Sequence, residues 1–159
     1  MELRRNTKPI KCSKCGKECG PGQGWAHKTS TGWVALCEEH KPRDIMAELA
    51  AVDGIVNLKG KQYVLYKGLL VLAKNTGNVD IEVELIHYDM EKKRAVCKAS
   101  VKGPLGYAVD YGDATQENCG KMVASAYIRM ASTRAKARAL RDYLGCGATA
   151  MEELPGGAS

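Results

Sequence analysis

Three stretches in the second half of the chain alternate apolar and polar residues with a period of two, which is typical of strands with one buried face. They cover residues 79–88, 94–102 and 106–111. The linkers between them, residues 89–93 and 103–105, are short enough for hairpins. The pattern therefore predicts a three-stranded antiparallel meander with one polar face.

A helical pattern follows the meander. Residues 121–142 contain no Pro or Gly and are rich in Ala, Met, Arg, Lys and Leu, which favours one long helix. One stripe of this helix, from Met122 to Leu144, is apolar and is predicted to cover the sheet. A second face carries mainly Ala, which suits either close approach of another helix or subunit or simply helix formation. Asp113 with Gln116 resembles a capping box, so we expect Asp113 to cap the start of this helical region.

The rest of the chain adds shorter elements. Residues 44–52 predict a helix with Asp44 as N-cap, and residues 62–66 predict a strand. The apolar run 68–74 indicates a buried helical segment, although its periodicity alone also allows a strand. The expected fold is α+β, a β-β-β-α core preceded by a small metal-binding module. The corresponding domains are residues 1–42 for the module and 43–154 for the core, with a disordered tail at 155–159.

Two short ligand pairs lie in the first 42 residues. Cys12-x-x-Cys15 is followed by Cys37-x-x-His40 after a turn-rich insert, and this spacing is typical of a tetrahedral zinc site. Four protein ligands would close the coordination shell, so the zinc is expected to be structural. Cys19 could replace one ligand. Trp25 and Trp33 could stack on bases, but we expect them to form most of the core of this small module.

Charge points to a polyanionic partner. The chain carries a formal charge of +6, and residues 121–142 contain six Lys or Arg with no acid before Asp142. Without acids one turn away, these cations are predicted to contact nucleic-acid phosphate rather than form ion pairs along the helix. The candidate contacts are Arg129, Arg134, Lys136, Arg138 and Arg141 on the helix, and Lys98 and Lys102 on the hairpins.

Cysteine usage suggests a reducing compartment. The chain has seven cysteines, an odd number, and its first residues lack the apolar stretch of a secretory signal. No window approaches the length of apolar sequence that a membrane span needs. The expectation is a cytoplasmic protein of a bacterium or phage-infected cell, with metal-bound or free thiols and no membrane partner.

At this point the residues resemble a known family. Three strands, the turn Tyr111–Ala114 and the helix segment Met130–Asp142 are similar to single-strand annealing proteins of the Rad-fifty-two type, in particular those of phages and prokaryotes. Segments 60–64 and 68–73 are similar to the entry of that fold. The resemblance covers roughly residues 45–154.

The resemblance implies a recombination protein that binds single-stranded DNA in a basic groove and anneals complementary strands without ATP. It also implies homo-oligomeric rings or filaments. By position, Arg134, Lys136, Arg138 and Arg141 match the basic helix of the family. The zinc module has no counterpart in the eukaryotic members.

Other function classes were weighed against this one. A zinc-containing RNA-binding or regulatory protein is the alternative, in which the module and its tryptophans would bind single-stranded loops. An enzyme is not expected, because the acids Glu82, Glu84, Asp89, Asp110 and Asp113 show no pair with a base at a workable spacing. The chain has no phosphate loop, and no small-molecule substrate is expected.

Overall fold

The computed structural model describes residues 3–120 and 125–154. The chain divides into two compact units, Met1–Arg43 and Asp44–Ser159, each with its own core. Both units contain antiparallel sheets, and three α-helices are present in the described ranges. The predicted α+β class is confirmed at this level. The predicted tail and the first turn of the predicted long helix lie outside the described residues.

The first unit contains two small sheets. Strands β1 (Leu3–Arg5), β4 (Gly24–Thr29) and β5 (Gly32–Cys37) form one antiparallel sheet in the order β1-β4-β5. Strands β2 (Ile10–Lys11) and β3 (Glu18–Cys19) form a short hairpin, and a 3-10 helix, Glu38–His40, follows β5. The buried hydrophobic residues are few, namely Cys12, Cys19, Leu36 and Cys37, with Ile10 and Val34 packed against them.

The second unit is organised around one open sheet. Strands β8 (Asp80–Asp89), β9 (Arg94–Gly103) and β10 (Gly106–Thr115) form an antiparallel meander in the order β10-β9-β8. Alternate residues of β9 are buried, from Ala95 to Val101, as the period-two pattern requires. A bulge between Leu85 and His87 interrupts the pairing of β8 with β9.

Helix α3 (Tyr127–Leu144) lies against β9 and β10 at very short range. A Cβ built on Gly112 of β10 would lie 2.2 Å from the backbone nitrogen of Ala135 and 2.4 Å from the carbonyl oxygen of Ala131. Glycine on the strand and alanine on the helix therefore allow the two backbones to meet. The alanine-rich face of α3 packs inward, since Ala131, Ala135 and Ala139 are fully buried.

The remaining elements close the core of the second unit. Helix α1 (Ile45–Ala51) begins at Asp44, whose side chain accepts a hydrogen bond from the Ala47 N–H, as the sequence predicts. Strands β6 (Ile55–Leu58) and β7 (Lys61–Val64) form a hairpin, of which only the second strand was predicted. Helix α2 (Tyr66–Asn75) packs on α3. A 3-10 turn, Met151–Glu153, follows α3 near the end of the chain. None of the helices in the described segments is both long and apolar enough to cross a membrane.

One local prediction is wrong. Asp113 does not cap a helix, because β10 continues through Thr115 and Asp113 is paired with Val96 in the sheet. The short capping pattern is overridden because Gly112 and Ala114 are the inward-facing residues of β10, and both are buried. Packing of the sheet under α3 thus outweighs the local signal.

We predict that Gly112→Ala destabilises the second unit strongly, since the added methyl group would collide with the backbone of α3. Such overpacking against backbone costs about 3 kcal/mol or more in the free energy of unfolding, which denaturant titration measures.

Gly147→Ala is the matched control, because a Cβ at Gly147 meets no atom within 4 Å. It should change the unfolding free energy by less than about 0.5 kcal/mol. Equal effects of the two substitutions would contradict the close approach of α3 to β10.

Candidate metal centre and basic surfaces

Four side chains of the first unit converge on one point. The ligand atoms of Cys12, Cys15, Cys37 and His40 all lie within 4.8 Å of one another. The Sγ atoms of Cys15 and Cys37 are 3.8 Å apart, and the Nδ1 atom of His40 lies 3.6 Å from Cys12 Sγ and 3.2 Å from Cys37 Sγ. A tetrahedral metal with bonds of about 2.3 Å to sulfur and about 2.0 Å to nitrogen needs edges of about 3.5–3.8 Å. The predicted residues therefore form a group that can bind a metal ion.

The local backbone explains why these residues meet. Cys12 follows β2 and starts a tight turn, in which the Gly16 N–H donates to the Cys12 carbonyl and the Cys12 N–H to the Lys17 carbonyl. Gly16 has a φ of 73°, which glycine adopts without strain. Cys37 ends β5, and the 3-10 helix that follows brings His40 back toward it. A hydrogen bond from Ser13 N–H to the Ala35 carbonyl joins the turn to β5.

The electrostatics of the cluster favour a cation. Burial raises the pKa of the Cys12 thiol, but hydrogen bonds from the backbone of Cys37, Cys15 and Lys14 outweigh it and lower that pKa to about 6. A backbone hydrogen bond from Lys17 lowers the pKa of Cys15, yet burial and the neighbouring thiols of Cys12 and Cys37 raise it above its usual value. Three sulfurs at contact distance repel one another when ionised, and a bound metal ion removes that repulsion.

Cys19 lies outside this group. Its side chain is buried, its Sγ lies 3.9 Å from the Lys17 carbonyl oxygen, and burial raises its pKa. It packs in the small core with Leu36, so its role is that of a buried apolar side chain. All seven cysteines are free thiols, and no disulfide links them.

The two tryptophans do not form the core of this unit, contrary to the sequence interpretation. Trp25 is held at the surface by charged neighbours: Arg5 Cζ lies 4.0 Å and Lys41 Nζ 4.3 Å from its ring centroid, and its Nε1–H donates to Glu38 at 2.7 Å. Trp33 is 53% exposed. The core is instead made by Leu36 and cysteine side chains, because the metal ligands themselves fill the centre of so small a unit.

Arg134 of α3 is not a phosphate contact, and that prediction is wrong. Its side chain is only 3% exposed, and its guanidinium donates to protein oxygens on every nitrogen. Nε donates to the Glu152 carbonyl. Nη1 donates to the Asp113 carbonyl and to Asn118 Oδ1, and Nη2 donates to the carbonyls of Asn118 and Leu154. A guanidinium with all five donors satisfied inside the protein has none left for a ligand.

Arg138 and Arg141 are paired with an acid that the sequence interpretation did not consider. Arg138 Nε donates to Glu153 Oε2 at 3.1 Å, and Arg141 Nη1 donates to Glu153 Oε1. Burial opposes ionisation of Glu153, but the Ala150 N–H and the two arginines outweigh it and lower the pKa of Glu153. The sequence did not indicate this acid, because it lies 12 and 15 residues away from the two arginines rather than one helical turn away.

The other predicted contacts are scattered. Lys98 and Lys102 lie on the face of the sheet opposite α3, next to the acids of β8, since Glu84 pairs with Lys98 and Asp80 with Lys102. Arg129 is exposed on α3, and Lys136 lies 5.2 Å from the ring centroid of Tyr66. The structure does not bring the seven predicted cations together into one surface.

We predict one tightly bound metal ion per chain, which elemental analysis of dialysed protein measures. Cys37→Ser should lose this ion, because the hydroxyl is a poorer ligand than the thiolate at the centre of the cluster.

Cys19→Ser is the control, since Cys19 is another buried cysteine of the same unit and is not a ligand. It should retain the ion. Equal loss of metal in both variants would mean that the cluster is not the binding site.

We also predict that Glu153→Gln lowers the unfolding free energy at pH 7 by about 2 kcal/mol, since it removes charged hydrogen bonds to Arg138 and Arg141. The folded-state pKa of Glu153 is lowered, so this stabilisation is complete above the usual pKa of Glu, about 4.3, and is lost as pH falls through the folded value. The difference from the unmodified protein should shrink below about pH 4 in denaturant titrations. Glu117→Gln, at an exposed acid, is the control and should show no such difference at either pH.

Comparisons with known proteins do not identify the chain. No protein-family model, curated protein or solved structure matches it. The resemblance to the Rad-fifty-two type therefore depends only on the three strands, the Tyr111–Ala114 turn, the Met130–Asp142 helix segment and the segments 60–64 and 68–73 of this chain.

Proposed function

We propose that this chain is a zinc-containing protein that binds single-stranded nucleic acid, and that its first unit makes the principal contact. The observation that carries the proposal is the distribution of charge. Residues 1–43 contain nine Lys or Arg and four Asp or Glu, which gives a net charge of +5. Residues 44–159 contain 15 Lys or Arg and 14 Asp or Glu, which gives a net charge of +1. The excess positive charge of the chain therefore belongs to the metal-binding unit rather than to α3.

Zinc is the metal that fits the ligands best. Three thiolates and one imidazole in a tetrahedral arrangement are the usual ligands of structural zinc, and four protein ligands leave no open position for a substrate. Zn²⁺ with three thiolates contributes a charge of about −1, so the loaded unit keeps a net charge of about +4. The role of the metal in this proposal is to hold the unit folded while its surface binds.

One face of the β1-β4-β5 sheet supplies a base-stacking surface, which we call the tryptophan face. Residues paired across an antiparallel sheet share a face, and Lys28 pairs with Trp33 while Arg4 pairs with Ala26. Arg4 Cζ lies 5.8 Å from the Trp33 ring centroid. The tryptophan face therefore combines Arg4, Lys28 and the exposed ring of Trp33 over the small side chains of Ala26 and Ala35.

This arrangement suits single strands. Exposed aromatic rings stack on unpaired bases regardless of sequence, and nearby cations neutralise the backbone. Trp25 lies on the opposite face of the sheet, where Arg5, Lys41 and Glu38 already surround it. Trp33 is thus the tryptophan whose ring is available for stacking.

Single-strand annealing is a second candidate function, and one observation favours it. On the sheet face opposite α3, Lys102 pairs with Tyr107 and Lys98 with Tyr111, and both tyrosines are at least half exposed. Two lysine–tyrosine pairs, separated by four residues or about 13 Å, could follow a single strand. The β8-β9-β10-α3 order is the one that the resemblance to annealing proteins implies. Against it, Asp80, Glu82 and Glu84 lie on the same face and oppose a polyanion.

We predict that Lys28→Ala combined with Trp33→Ala weakens binding of a labelled single-stranded oligonucleotide by at least about tenfold, since one stacking residue alone contributes about 1–3 kcal/mol. Loss of one phosphate contact should also reduce the slope of log affinity against log salt by about 0.7. Fluorescence anisotropy titrations at several salt concentrations measure both quantities. Metal content should stay unchanged, because neither residue is a ligand.

The double variant Lys98→Ala and Lys102→Ala, which changes only the second unit, tests the annealing function. If the tryptophan face is the binding surface, this variant should bind nearly as well as the unmodified protein. Two results together would replace the proposed function by the annealing function. Binding of the oligonucleotide would be strongly weakened in the Lys98→Ala and Lys102→Ala variant but not in the Lys28→Ala and Trp33→Ala variant, and the unmodified protein would anneal complementary strands without nucleotide.

A further inference from the structure

The two edges of the three-stranded sheet differ in how their backbone is occupied. On the β10 edge, Arg138 Nη1 donates to the Tyr111 carbonyl at 2.8 Å and Arg134 Nη1 donates to the Asp113 carbonyl at 2.8 Å. These are alternate residues, so both carbonyls point away from β9. The arginines of α3 thereby occupy two of the backbone acceptors that an added strand would need, at the Tyr111–Asp113 end of β10.

The β8 edge has no such cover among the residues that the structure describes. β8 ends the sheet order, and its pairing with β9 leaves the other side of its backbone unpaired. The regular part of the strand before the bulge is Asp80–Leu85, six residues or about 20 Å, which is a usual length for strand pairing. An unprotected edge of this length favours pairing with another extended segment.

The side chains of this edge define what such a segment must contain. On the helix side of the sheet, Val83 is 41% and Leu85 43% exposed, because α3 covers β9 and β10 much more than β8. Ile128 of α3 is 41% exposed, and its carbonyl lies 4.0 Å from Cys97, the partner of Leu85. The other side of the strand carries Asp80, Glu82 and Glu84.

The neighbour of β8 within the sheet already shows the complementary pattern. β9 places Arg94, Lys98 and Lys102 opposite Asp89, Glu84 and Asp80, and it places small apolar residues on the helix side. Arg94 Nε lies 3.8 Å from Asp89 Oδ2. Glu82 faces Ser100 and has no basic residue opposite it in β9. A strand added on the free side would meet the same alternation of acidic and apolar positions.

We propose that the Asp80–Leu85 edge of β8 binds an extended basic peptide segment of a partner protein by strand addition, with apolar side chains on the helix side and Lys or Arg on the acidic side. The backbone hydrogen bonds provide affinity, and the alternation provides selectivity. A second copy of the same β8 edge is a poor partner in this geometry, because antiparallel pairing would set carboxylates of the two copies side by side. This proposal does not depend on nucleic-acid binding by the first unit.

The test uses the full-length protein and three labelled eight-residue peptides with blocked ends. The first alternates Lys and Val, the second alternates Glu and Val, and the third has four Lys followed by four Val. Fluorescence anisotropy should show saturable binding of the first peptide, at least about tenfold tighter than the other two. Two further Lys–Val peptides carry N-methyl groups at every second residue, one on the odd and one on the even positions. The peptide whose methylated nitrogens face β8 should lose binding, and the peptide whose methylated nitrogens face away from β8 should keep it.

Charge reversal separates strand addition from general attraction. Glu82→Lys combined with Glu84→Lys should make the Glu–Val peptide the preferred ligand. Both sites are exposed, and the like charge that Glu84→Lys places opposite Lys98 removes only a small part of the stability, so the variant should stay folded. Val83→Ser combined with Leu85→Ser should weaken binding of both alternating peptides.

Equal binding of the alternating and block peptides, or no change of preference on charge reversal, would overturn the proposal. Self-association of the protein that the Val83→Ser and Leu85→Ser changes abolish would also overturn it, by assigning the edge to a second copy. The Lys28→Ala and Trp33→Ala variant should bind the Lys–Val peptide normally, so failure of the nucleic-acid proposal would leave this one standing.

Discussion

The second unit depends on a buried cation. Arg134 lies inside the protein and joins four parts of the chain: its own helix, the edge of β10, the loop at Asn118 and the carbonyls of Glu152 and Leu154. A buried charge is tolerated only when every donor has an acceptor, so these segments have to adopt their observed positions together. The end of the chain is then held close enough for Glu153 to reach Arg138 and Arg141, and for Glu152 Oε1 to accept from the Tyr66 N–H at the start of α2.

This use of arginine changes where a polyanion can bind. On the sequence alone, α3 has the strongest local concentration of positive charge, but three of its arginines are engaged by carbonyl oxygens and by the carboxylates of Glu153 and Asp113. The first unit has the opposite character, with many cations, few acids and a small core formed by Leu36 and by cysteines, two of which belong to the group that can bind a metal ion. The excess positive charge that could attract a polyanion therefore lies on the small unit rather than on the long helix, and the likeness to the annealing family is one of sequence pattern alone.

The sequence was informative where the signal was local and periodic. The strands of the meander, the helix capped by Asp44 and the four metal ligands follow from spacing alone, because period-two alternation and paired ligands each have few structural solutions. Contacts between distant residues could not be predicted in the same way. Nothing near Arg138 in sequence indicates Glu153, and Asp113 followed by Gln116 gives a helix-start signal that the long strand β10 overrides. The positions of the two tryptophans outside the core, Trp25 half-buried and Trp33 exposed, were also missed, since aromatic residues in a small module suggest a core until cysteine side chains are found to fill it.

The asymmetry of the two sheet edges limits how this molecule can polymerise. Endless growth of a fibril through sheet extension needs a free donor edge and a free acceptor edge on every subunit, so that each addition creates a new site. Here guanidinium groups from the same chain occupy the Tyr111–Asp113 end of one margin, so only the first part of β10 is left for another strand. A subunit that docks at the other margin would therefore offer a shortened edge to the next one, which disfavours amyloid-like growth of this meander.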